Sequence, residues 1–187
     1  MPRHWVLDAS PLIILGKVGL LEILPRLAAN LSVPQGVALE VLAGPAGDPA
    51  RVLLAEPGNL AVVQVPAIAG KVAAWDLHRG ESEALSLALT QPGCEVIVDD
   101  RAARNCALAL SLAYRGTLGV LLLAHRRGLV PDPARTLQMV RNAGLRIDAA
   151  IAEEFLRLAA GEHVSPASDR TTQPAWKSSS SGGARTS

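Results

Sequence analysis

Short apolar runs alternate with longer stretches of helical period along most of this chain. The runs are "WVL" at 5–7, "NLSV" at 30–33, "LAVVQV" at 60–65 and "CEVIV" at 94–98. Each is followed by a segment whose apolar residues recur every three or four positions. Parallel neighbours in a sheet need a connection long enough to cross back over it, so this alternation predicts an α/β fold. The expected sheet has four or five parallel strands with helices on both faces, an α/β/α sandwich. Ser10 followed by Pro11, and Val33 followed by Pro34, read as helix starts, and Gly44-Pro45 as a stop. "GESEALSLAL" from Gly80 and "DDRAARNCALALSLA" from Asp99 carry acids in their first turns, where the helix dipole favours them. "GTLGVLLLAHRRG", "DPARTLQMVRNAG" and "DAAIAEEFLRLAAG" read as three further helices, each ended by glycine. From Ser165 the chain turns polar and low in complexity, so a folded domain over 1–164 and a disordered tail over 165–187 are expected.

Composition removes several function classes. With 49% hydrophobic but only 3% aromatic residues, the core must be aliphatic. A formal net charge of +1 excludes a globally basic polyelectrolyte. Cys94 and Cys106 are too few for a disulfide framework and lack the paired spacing of a zinc site. No apolar run is long enough to span a membrane and the first residues lack the core of a signal peptide, so a cytoplasmic protein without membrane contact is expected.

The acids at the strand ends carry the chemistry. Asp8 stands where the first apolar run leaves the sheet, and Asp99-Asp100 stand at the end of a later one. Ligands of open α/β sheets bind outside the carboxyl ends of strands, which is where both fall. Each also has a plain reading, Asp8 in a turn with Ser10 and either late Asp as a helix cap. Glu40 borders an apolar helical stripe beside Val41, and Glu83 neighbours Ala84 and Leu87, with Glu81 as its competitor. Converging carboxylates repel unless a cation or protons compensate them, and oxygen-only ligands select Mg²⁺ or Mn²⁺. Between Arg101 and Arg146 there are eight Arg and one acid, Asp132, an asymmetry that suits a polyanion. Arg101 and Arg104 are the best placed for phosphate contacts, and Ser10 for a hydrogen bond in the pocket.

"VLDASPLI", "VPQGVALEV", "GESEALSLA" and "VIVDD" together resemble, in order and local pattern, the PIN-domain nucleases. The resemblance implies a carboxylate pocket holding Mg²⁺ or Mn²⁺ and hydrolysis of RNA phosphodiesters. It carries the metal-binding and catalytic roles onto Asp8, Glu40, Glu83 and Asp100, with Glu81 and Asp99 as alternatives at the last two positions. Many members are toxins of toxin–antitoxin pairs and many are homodimers, so RNA, an antitoxin protein and a second copy of the chain are the partners it implies. The reading opposed to it is a PIN-like protein without nuclease activity that binds RNA or protein. No G-x-S-x-G elbow supports a serine nucleophile, and no G-x-G-x-x-G follows the first strand.

Overall fold

The computed structural model describes residues 3–55 and 60–161; the expected tail from Ser165 lies outside the described residues, as does the end of the expected domain. Five strands, β1 (His4–Leu7), β2 (Asn30–Pro34), β3 (Leu60–Val63), β4 (Glu95–Ile97) and β5 (Ala113–Arg115), form one sheet in the order β3-β2-β1-β4-β5. All four pairings are parallel. The alternating side chains of β1 account for the layering. Trp5 and Leu7 point into one core with Leu12, Leu15, Val37 and Leu121, while Val6 points into the other with Leu85, Val96 and Cys106. A strand buried on both faces reads as a continuous apolar run, as "WVL" does.

The first core is covered by α1 (Ala9–Lys17), α2 (Ile23–Leu27), α3 (Gln35–Leu42), α4 (Pro49–Ala55), α8 (Thr117–Arg126), α9 (Pro133–Asn142) and α10 (Ala149–Ala159). The second lies under α5 (Gly70–Ala73), α6 (Arg79–Thr90) and α7 (Arg101–Ala109). Helix α1 begins at Ala9 with Asp8 in the cap position, two residues before the Pro11 start expected from sequence. Pro11 is tolerated there because the first-turn amides have no intrahelical acceptor in any case. Helix α3 starts directly after Pro34, the last residue of β2, and ends before Gly44 as expected.

Strand β5 is the element that sequence pattern hid. Helix α7 ends at Ala109 because Ser111 takes a left-handed conformation, φ 57°, and the amides of Ser111 and Leu112 close back on Leu108 and Ala107. Glycine usually marks such an ending, and here a serine does. The three residues of β5 are too few to show a period of two. Among the described residues, no helix is long and apolar enough to cross a membrane.

Candidate active site

Strands β1 and β4 are neighbours, and from that pair the sheet grows outward in opposite directions, through β2 and β3 on one side and β5 on the other. This is the switch point at which a cleft opens beyond the carboxyl ends of the strands. Asp8 follows β1 directly, and its amide donates to the Ile97 carbonyl at 3.0 Å. Asp99 and Asp100 follow one residue after β4 closes. Two adjoining cavities of about 370 and 460 Å³ meet here and share Asp8, Ser10 and Glu81. Glu40 lines the first, whereas Asp99, Asp100, Arg101 and Arg104 line the second.

Glycine at position 80 lets α6 approach the acids. A methyl group built on Gly80 would meet Glu40 Oε2 at 3.1 Å and Asp8 Oδ1 at 3.6 Å, so both carboxylates converge over its bare backbone. Asp8 is only 4% exposed and forms no side-chain cap to α1. Burial pushes its carboxyl up to about 7, and the charges of Glu81, Glu40 and Asp99 push in the same direction against the Ala9 amide. Glu81 is likewise raised, first by burial and then by Asp100, although it accepts the His78 amide at 3.2 Å.

Three of the expected ligands have other partners. Glu83 does not line the cleft: its Oε2 accepts the Gly36 amide at 2.5 Å, and its Oε1 accepts from Arg79 Nε at 2.8 Å. Gly36 lies in the first turn of α3, where Pro34 cannot cap, so Glu83 supplies the negative charge that turn favours. Residues 81 and 83 are about 200° apart around a helix, so only one of them can face the cleft, and it is Glu81. Asp100 caps its own helix by accepting the Ala103 amide at 2.9 Å, while remaining in the wall of the cleft. Asp99 reaches across to α8, accepting the Thr117 amide at 2.8 Å and the Thr117 hydroxyl at 2.6 Å.

The donor set of Asp8, Glu40, Glu81, Asp99 and Asp100 is all oxygen, and its mutual repulsion is what a hard divalent cation would relieve. Among the described residues, no three His, Cys, Asp or Glu side chains stand close enough together to hold an ion by themselves. Such a set still suits Mg²⁺, which is bound through one or two carboxylates and keeps several waters. Arg101, Arg104 and Arg146 line the same cleft, and none has an ion-pair partner among the described residues. The acids and arginines therefore form an acidic floor and a basic rim that do not neutralise each other. Arg146 and Thr117 were not singled out by sequence. Arg146 entered only as one of eight Arg, and nothing local ties Thr117 to an acid 18 residues earlier.

A family model described as a PIN domain matches residues 4–161. The chain belongs to the PIN-domain family. No curated protein matches it. Membership in this nuclease-like family agrees with the five-stranded parallel sheet and with a carboxylate cleft at its switch point.

Proposed function

We propose that this PIN-domain protein is a ribonuclease that cleaves RNA phosphodiesters with Mg²⁺ or Mn²⁺ in the cleft lined by Asp8, Glu40, Glu81, Asp99 and Asp100, bound directly by one or two of these carboxylates and through its waters by the others. The observation that carries the reading is the buried carboxyl of Asp8, facing three further acids from separate elements at the β1–β4 switch point. The hydrogen bond that its carboxylate accepts from the Ala9 amide is outweighed by burial, and the neighbouring charges add to the repulsion, so ionised Asp8 lacks a counter-charge among the described residues, which in a buried site costs several kcal/mol. A bound divalent ion would supply charge neutralisation at the phosphate and a more acidic water. The residues of the chain do the remaining work. Asp8 and its neighbours hold oxygen donors in place before substrate arrives. Ser10, on the wall shared by both cavities, donates a hydrogen bond to a phosphate oxygen. Arg101 holds the flanking backbone, at the rim where an unpaired guanidinium group meets a polyanion, and Arg104 faces the same substrate from beside it.

The second reading is a PIN-domain protein that binds RNA without cutting it. In its favour, Asp99 and Asp100 already spend oxygens on Thr117 and Ala103. Incubating purified protein with single-stranded RNA separates the two readings. Cleavage that requires Mg²⁺ or Mn²⁺, stops in chelator and falls by orders of magnitude in Asp8→Asn is the expected result; retention of full activity in Asp8→Asn would refute it. A role as the toxin of a toxin–antitoxin pair, with an antitoxin partner and a homodimeric form, extends the same proposal. Growth arrest on induced expression, abolished in Asp8→Asn, is its test.

A further inference from the structure

Beside the acid cleft lies a smaller cavity of about 140 Å³ that the proposed chemistry leaves unused. It opens onto the cleft through shared Asp99, Arg104, Leu145, Arg146 and Ile151, and the walls it does not share with the cleft are Gly116, Leu118 and Gly119 at the start of α8 and Ile147 before α10, so its lining is largely aliphatic. The volume is several times the roughly 30 Å³ share of one water, the size class of a ring rather than of an ion. A phosphate would meet the two guanidinium groups at the mouth, but deeper in it would set charged oxygens against Leu118, Ile147 and Ile151, which cannot replace their hydration. A flat heterocycle is well matched, with its faces on the aliphatic side chains and its polar edge toward the guanidinium groups.

Gly116 keeps the mouth of the cavity clear. A methyl group placed there would lie 3.1 Å from Asp99 Oδ1 and 3.7 Å from Arg104 Nη1, so Arg104 crosses directly over a bare backbone. Arg104 is only half-exposed, and its guanidinium has no acid partner among the described residues. Asp99, held by Thr117, separates the small cavity from the acid cleft. An occupant of the small cavity is therefore the immediate neighbour of whatever sits over the acids.

We propose that this cavity receives one nucleobase of a single-stranded RNA, next to the phosphate that is cut, and that it selects guanine. The proposal rests on RNA being the substrate of the adjoining cleft. Arginine offers donors only, in a planar fork, so the base it reads must present two neighbouring acceptors. Guanine does so through O6 and N7, whereas adenine places an amino donor beside N7 and uracil sets its N3–H between its two carbonyls; cytosine offers N3 and O2 side by side, but on a single ring that fills less of the cavity than a purine does. Unstacked bases in single strands are read in this way, against side-chain planes and by edge hydrogen bonds. The aliphatic walls supply the surface that aromatic side chains would provide elsewhere.

Two measurements test the inference separately from the nuclease reading. In the first, wild-type protein in chelator is titrated with the four nucleoside 5′-monophosphates, followed by NMR. GMP is expected to bind about tenfold more tightly than UMP, and 7-deaza-GMP, which lacks the N7 acceptor, to lose that advantage. Arg104→Gln and Arg146→Gln are expected to bring the GMP to UMP ratio toward one. In the second, oligonucleotides that differ in a single base are cleaved with Mn²⁺, and cleavage is expected to follow guanine. Equal affinity for the four monophosphates, or a GMP preference that survives both arginine substitutions, overturns the proposal. A uniform loss across all four bases in the variants overturns it too, because that is the signature of a phosphate contact. A guanine preference in binding without any cleavage would leave the base pocket standing and remove the nuclease reading instead.

Discussion

Replacing Asp8 with Asn changes one oxygen to an amide and removes one charge from the most crowded point of the cleft. In the folded protein without metal, the Asp8 carboxyl titrates near 7 rather than near its ordinary 3.8, because burial and then Glu81, Glu40 and Asp99 oppose ionisation. A group that holds its proton more tightly when folded makes the folded state less stable as pH rises between those two values. Below about pH 4, Asp8 is neutral in both states and costs nothing; above about pH 7 the full penalty applies. The interval corresponds to roughly 4 kcal/mol, which bounds the effect. Asn is never charged, but its amide donors enter a buried site and need partners, at a cost of about 1–3 kcal/mol. The net expectation in chelator at pH 8 is an Asp8→Asn protein more stable than wild type by about 1–3 kcal/mol, a midpoint higher by roughly 2–12 °C for a chain of this size. At pH 5 the advantage should vanish or reverse, since only about 1.6 kcal/mol of the penalty remains there, no more than the cost of burying the Asn amide. Mn²⁺ should stabilise the wild type, by about 2.7 kcal/mol at a hundredfold excess over Kd and with a matching rise in midpoint, and stabilise the variant much less. Thermal melts of both proteins at pH 5 and 8, with chelator or with Mn²⁺, measure all of this. A variant less stable than wild type by the same amount at both pH values would show that Asp8 is a structural cap. Equal shifts with Mn²⁺ would show that it holds no metal.

Two further substitutions address the supports of the cleft. Gly36→Ala would set a Cβ 2.7 Å from the Glu83 carboxylate, which is buried and cannot swing away from Arg79 and the α3 amide without losing both; a loss of about 1–3 kcal/mol is expected in urea unfolding. An unchanged urea midpoint would mean that the contact between α3 and α6 is looser than the 2.5 Å hydrogen bond implies. Thr117→Val keeps the shape of a fully buried side chain but removes the hydroxyl donor to Asp99 at 2.6 Å, leaving a carboxylate oxygen short of a partner. A cost of about 1–3 kcal/mol is expected, together with weaker metal-dependent RNA cleavage as Asp99 loses its orientation, and wild-type values in both would refute the assignment.

Local pattern was enough to specify the layers, the parallel strands and the strand-end acids, because each depends on neighbours a few residues away. "WVL" followed by Asp8 is legible as a buried strand leaving its sheet, and Asp100 as a cap is legible from the helix it precedes. The choice between Glu81 and Glu83 was not legible, since both lie within one turn of α6 and local pattern does not say which face meets the cleft. Packing of α3 against α6 decides it, by giving Glu83 the Gly36 amide and leaving Glu81 over the acids. Strand β5 and the bond from Thr117 to Asp99 also depend on distant contacts: three residues become a strand only because the edge of β4 offers them a partner. The cavity over Gly116 is of the same kind, drawing Arg104, Leu118 and Arg146 together from three parts of the chain that no spacing connects. Hydrophobic period reports which face of an element is buried; which element covers it, and which acid is left facing solvent at the seam, is settled only when the helices dock.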